Sequence, residues 1–220
     1  MNDMTKRIKS EFSKLDVTYA ESFEILNGLS FDSQYFPHIV AVALLNNCLE
    51  IAHAISALSK SSLDGGHPIL LRSLFESTAR LMFLAKSPEE NALILERIGC
   101  DELLRQIGKE QSPLESTETI KLRKLISERL EVIRCEKIKK VNFKEILNEI
   151  KCASFYPLYQ ELSAITHGQI IPSLLPILNE QNNVKFDFLK PFSDEKRMIV
   201  QELAVTFLQL ATLNVQRILI

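Results

Sequence analysis

Arg72, Glu76 and Arg80 stand four residues apart in PILLRSLFESTARLMFLA, and Tyr159, Ser163 and His167 repeat that spacing in FYPLYQELSAITHG. A four-residue step keeps side chains on one side of an α-helix, so each set predicts a polar stripe on an otherwise apolar helix. Polar groups among core residues must be paired or put to use, because burying one alone costs about 2–7 kcal/mol.

The first stripe puts a carboxylate between two guanidiniums. Its plainer reading is a salt-bridge ladder that braces a neighbouring helix; its functional reading is a pocket wall gripping phosphate or carboxylate, which Arg does bidentately. In the second stripe His167 falls at a helix end closed by Gly168, where an imidazolium is favoured by the helix dipole. It is either a cap on carbonyls or a general acid or base, with Tyr159 and Ser163 orienting it or its substrate. A Ser163–His167 nucleophile pair lacks both a nucleophile elbow and an evident set of oxyanion donors.

Two further patterns carry weaker chemistry. Glu50-x-x-His53 has the spacing of half a di-iron carboxylate site, but no second Glu-x-x-His completes it. A satisfied polar pair on a buried helix is the better expectation, so no metal and no cofactor is assigned. Segment 121–151 holds ten Lys/Arg against five Glu. It could lie along a nucleic-acid backbone, yet Lys and Glu mixed at helical spacing, without interleaved aromatics, more often form a solvated face.

The elements that must position these residues are helices. Ile8, Phe12, Leu15, Tyr19, Phe23 and Leu26 mark an amphipathic helix over 4–28. Pro37 opens a second over 37–61, and Pro68 a third after the Asp64-Gly65-Gly66 turn. Ser87-Pro88-Glu89-Glu90 reads as the capped start of a helix over 88–110. A long charged helix is expected over 114–140, a short one capped by Asn142, the Tyr159 helix over 156–167, and a last one from a Ser193 cap to 220. Between them, 181–192 reads as a loop with a β-like VKFDFL piece.

Composition agrees. Six Gly and eight Pro in 220 residues are about half the usual share of breakers. With 46% hydrophobic and 25% charged residues the chain can bury a sizeable core, and a net charge of −2 argues against a surface built throughout for nucleic acid. The reading is all-α: a single-domain helical bundle over 1–220, with 193–220 a C-terminal packing helix. Four scattered cysteines without C-x-x-C spacing are read as reduced thiols, and MNDMTKRIKSEF turns charged where a leader would be apolar. Polar residues interrupt the apolar stretches 39–58 and 198–220. The expectation is cytoplasmic, with no membrane.

ILLRSLFES followed by YPLYQELSAITHG resembles an uncharacterised bacterial helical family with an Arg-x-x-x-Glu helix and a Tyr-x-x-x-Ser-x-x-x-His segment. That family looks HEPN-like, similar to the higher eukaryote and prokaryote nucleotide-binding helical domains. The resemblance covers roughly 35–170. It implies that Arg72, Glu76, Tyr159, Ser163 and His167 converge, and that the protein binds RNA or a nucleotide in phage defence or a toxin–antitoxin locus, as a homodimer. On this reading His167, Arg72 and Glu76 form the catalytic set of a metal-independent RNase-like site, and Arg80, Tyr159 and Ser163 bind. Active HEPN-like enzymes carry an Arg four to six residues before His, which none of the four histidines here has. Binding without rapid cleavage is therefore expected. The alternative is a non-catalytic helical module that dimerises or binds a protein partner.

Overall fold

The computed structural model describes residues 3–61, 66–108, 116–166 and 193–219. Among them every element is helical: α1 (Asp3–Gly28), α2 (Phe36–Lys60), α3 (His67–Leu84), α4 (Pro88–Ile107), α5 (Thr117–Cys135), α6 (Phe143–Glu149), a 3₁₀ turn (Ala153–Phe155), α7 (Tyr156–Thr166) and α8 (Asp194–Leu219). The chain is an all-α, single-domain helical bundle.

Helices α1, α2, α3 and α8 form the core, with α8 packed on the other three. The hairpin of α4 and α5 leans on α2 and α3 through α4, while α6 and α7 pack on α3. Apolar residues at helical spacing make that core: Leu45, Cys48, Ala52 and Ile55 of α2 meet Leu71, Leu74 and Phe75 of α3 and Ala204, Phe207, Leu208 and Ala211 of α8 in one buried cluster. By length and composition α2 and α8 could each cross a membrane. In the bundle both supply core residues.

Buried polar groups are tied across helices. Gln201 donates to Ser59 Oγ at 2.6 Å, and Ser59 is hydrogen-bonded to His67 Nε2 at 2.8 Å, joining α8, α2 and α3. Thr78 of α3 donates to the Phe207 carbonyl of α8 at 3.2 Å. Such links fix helix register as well as satisfying the groups themselves.

Helix ends follow local chemistry. Asn142 and Glu145 form a reciprocal capping box on the seven-residue α6. Ser193 Oγ accepts from the Lys196 N–H at 3.3 Å. Ser87 does stand at the N-cap of α4, but its side chain makes no cap bond. Instead Asn91 reaches back to the Phe83 carbonyl at 2.6 Å and staples the α3–α4 turn.

The long charged helix is shorter than the periodicity predicts. It starts at Thr117 behind a Ser116 cap and stops at Cys135. Lys137 takes φ 58°, and Ile138 N–H turns back to the Ile133 carbonyl at 3.3 Å. This is a left-handed helix closure made without glycine, hence invisible to a search for breakers. Helix α4 ends at Ile107, where Gly108 takes φ 77°, rather than at 110. The loop expected over 181–192, with its β-like piece, lies outside the described residues.

Candidate functional site

Helix α3 carries Arg72, Glu76 and Arg80 along the wall of a cleft of about 840 Å³, which α4, α6 and α7 complete. The stripe predicted from spacing is present, and its first two members meet as predicted: Arg72 Nη2 donates to Glu76 Oε1 at 3.0 Å, with side chains 16% and 20% exposed. The same Nη2 donates to the Tyr159 hydroxyl of α7 at 3.2 Å, and the guanidinium lies 5.3 Å from that ring's centroid. One guanidinium thus holds a carboxylate on its own helix and a phenol on another.

Electrostatics hold this set together, although the Arg72 Nε is buried without a partner among the described residues. Burial works against the Arg72 charge, but the Tyr159 hydroxyl and Glu76 outweigh it and raise its pKa above the ordinary value. Burial is also the main cause that raises the Tyr159 pKa; Arg72 pulls it down, and the Glu76 carboxylate pushes it up. A phenol shifted upward stays protonated near neutral pH and is no general base.

Arg80 turns elsewhere. It donates to Glu102 of α4 at 2.9 Å rather than to Glu76, and its Nε is buried without a partner. Lys140, just before α6, lies 3.4 Å from Asp101 of α4. The cleft therefore holds four cations, Arg72, Arg80, Arg105 and Lys140, against the carboxylates of Glu76, Asp101 and Glu102. Among the described residues, exposed Arg105 has no ion-pair partner, so the excess positive charge sits on it.

The aromatic rings of Phe143 and Tyr159 line the cleft, and further rings back them. Phe143 of α6 and Tyr159 lie 4.4 Å apart between centroids, Tyr156 stacks on Tyr159 at 6.0 Å, and Phe75 meets Phe143 edge-on at 5.7 Å. These rings fix α6 and α7 on α3, and through them the height of Tyr159 opposite Arg72.

Ser163, one turn beyond Tyr159, is half-buried and does not line the cleft. His167 lies outside the described residues. Asp101, Glu102, Arg105, Lys140 and Phe143 belong to the cleft but were missed in the sequence. For the three on α4, the signal that could have found them is the Asp101–Arg105 spacing, which matches the four-residue polar step on α3; no such signal marks Lys140 or Phe143.

The weaker patterns dissolve into ordinary contacts. Glu50 is exposed and accepts from Asn46 at 2.9 Å, while exposed His53 faces the Tyr19 ring at 5.4 Å. Among the described residues no three His, Cys, Asp or Glu side chains are grouped to hold a metal ion. The basic 121–151 segment is largely engaged: Arg129 grips Glu96 with two bonds of 2.7 and 2.8 Å, Arg123 donates to the Ile107 and Gly108 carbonyls, and Arg134 pairs with Glu131. Cys48 is an inert thiol, its pKa pushed up to about 12 by burial.

No curated protein and no solved structure matches the chain. The model of DUF5677, a family of unknown function, matches residues 38–184, from the start of α2 past α7 and across both polar sets. The match takes in the cleft and all six residues singled out by spacing, and the chain belongs to this family.

Proposed function

We propose that this chain is a non-catalytic helical interaction module, whose polar cleft braces the bundle and whose outer helix α5 meets a second copy. One observation carries the reading: Leu122, Leu125 and Val132 form an exposed row on α5, 42%, 64% and 45% exposed, while Ile126, Leu130 and Ile133 of the same helix are buried. Leu103 of α4 extends the row. Two turns along α4 from Glu96 and two turns back along α5 from Arg129, the ion-paired hairpin sets Leu103 level with Leu122.

With Arg129 the row runs 122, 125, 129, 132, and that spacing reads the same in both directions. A copy related by a two-fold axis can therefore present it to itself. Charge favours the antiparallel arrangement, since exposed Lys121 and Lys124 lie in the first half of α5 and exposed Glu128 and Glu131 in the second. The expected result is a dimer in sedimentation velocity that becomes a monomer in Leu125→Glu with an unchanged circular dichroism spectrum. A wild-type monomer at all concentrations would defeat the assembly.

The cleft favours a second reading, in the HEPN-like sense: RNA or nucleotide binding with no chemistry. Its support is Arg105, which has no carboxylate partner among the described residues and lines a cleft that also presents the Phe143 and Tyr159 rings. Fluorescence anisotropy with a short RNA and with free nucleotides tests it. Affinity that falls with salt and disappears in Arg105→Ala would promote this reading; no affinity in the wild type would end it.

A further inference from the structure

We propose that a second opening, on the far side of Arg80 from the cleft, binds a small carboxylic acid with an apolar body. The cavity lies between α2, α3 and α4, has a volume of about 390 Å³, and is walled by Val40, Leu44 and Leu95, with exposed Ala43 at its mouth. That size and lining suit a small molecule, since such sites run to about 300–1,000 Å³ and are mostly apolar with a few placed polar groups.

The polar groups specify the ligand. Glu96 reaches the cavity, but both of its oxygens accept from Arg129, so its charge is neutralised and it does not hold Arg80. Asn47 donates one amide N–H to Ser77 at 2.8 Å and keeps its other donor. Arg80 gives Nη2 to Glu102 on the cleft side, while its Nε is buried with no partner. A guanidinium that Glu102 leaves incompletely satisfied, on the wall of an apolar cavity, can receive a second carboxylate once it turns its buried Nε toward α2. A neutral hydrocarbon would leave those donors unmet. A phosphate dianion would meet apolar walls and bring a second negative charge that one guanidinium, already shared with Glu102, cannot neutralise. This site touches α5 only through the Arg129 that holds Glu96, and ligand binding there does not require assembly.

The test is calorimetric titration of the full chain with sodium octanoate below its micellar range, beside octan-1-ol and inorganic phosphate. Methyl NMR of Val40, Leu44 and Leu95 locates the ligand. Octanoate should bind saturably and shift those methyls, with octanol and phosphate each at least about ten-fold weaker, a difference readily resolved in Kd. Arg80→Met should abolish the preference for the acid over the alcohol, and Ala43→Trp should block the mouth while leaving Arg80 in place. If Arg80→Met unfolds the protein, the octanoate–octanol comparison and Ala43→Trp still decide. Failure of octanoate to saturate, equal binding of octanol or phosphate, or undiminished binding in Ala43→Trp each overturns the proposal.

Discussion

The Arg72 guanidinium donates to the Tyr159 hydroxyl at 3.2 Å while resting 5.3 Å from the centroid of the same ring. Both contacts cross from α3 to α7, and Glu76 neutralises the cation from its own helix. Removing one partner leaves the others partly buried and unsatisfied, which is costlier than never having built the set. Tyr159→Phe and Arg72→Met should each destabilise by about 1–3 kcal/mol. The double variant should lose less than their sum, with a coupling of about 1 kcal/mol. Urea melts of the four proteins measure it, and strict additivity would show that the contact carries no energy.

Phe75 lies behind the rings that line the cleft, 4% exposed and stacked 5.0 Å from Phe207 of α8. Phe75→Ala should cost about 3–5 kcal/mol by leaving a cavity that α6 and α7 cannot fill. Hydrogen exchange should then quicken first in α6 and in the 3₁₀ turn before α7, whose Phe143 and Phe155 rings rest on it. An even loss of protection over all helices would contradict this.

Asn142 opens the cleft's shortest helix with both bonds of its capping box, 2.6 and 3.0 Å. Seven residues are too few for an isolated helix, so cap and packing carry it together. Asn142→Ala should cost about 0.5–2 kcal/mol, and Asn142→Ser much less. Equal melting shifts for the two would mean that side-chain capping is not the cause.

Asp16 gives a pH test. Burial opposes its charge, but hydrogen bonds from Lys60 and Ser56 outweigh it and hold its carboxyl below the ordinary range. The folded chain then binds fewer protons here than the unfolded one. This contribution is complete above the unfolded carboxyl pKa of about 4 and is lost as pH falls through the lower folded value. Wild type should melt above Asp16→Asn at pH 6, and the gap should close below about pH 4. A gap that widens in acid would reverse the assignment.

Periodicity revealed the helices because most are long and stripe-coded, and Arg72–Glu76 was legible because both partners share one helix turn. Arg80–Glu102 was not: the partners are on different helices, and nothing local tells Arg80 to prefer Glu102 over Glu76. That Tyr159 and Arg72 meet could be expected from the family resemblance and from the cost of leaving them alone in a core, not from local spacing. The end of α5 was misread because Lys137 adopts a conformation usually signalled by glycine. The row on α5 went unremarked because Leu and Val at helical spacing look the same whether a helix faces inward or outward.

Arg80 lines both openings of the bundle. A single guanidinium with a fixed set of donors cannot serve two sides independently. Whatever draws it toward α2 loosens its hold on Glu102, and whatever strengthens that hold withdraws it from the apolar side. If ligands fill both proposed sites and each acts on Arg80, the two are thermodynamically linked through one rotamer, and each ligand changes the affinity of the other by the same factor.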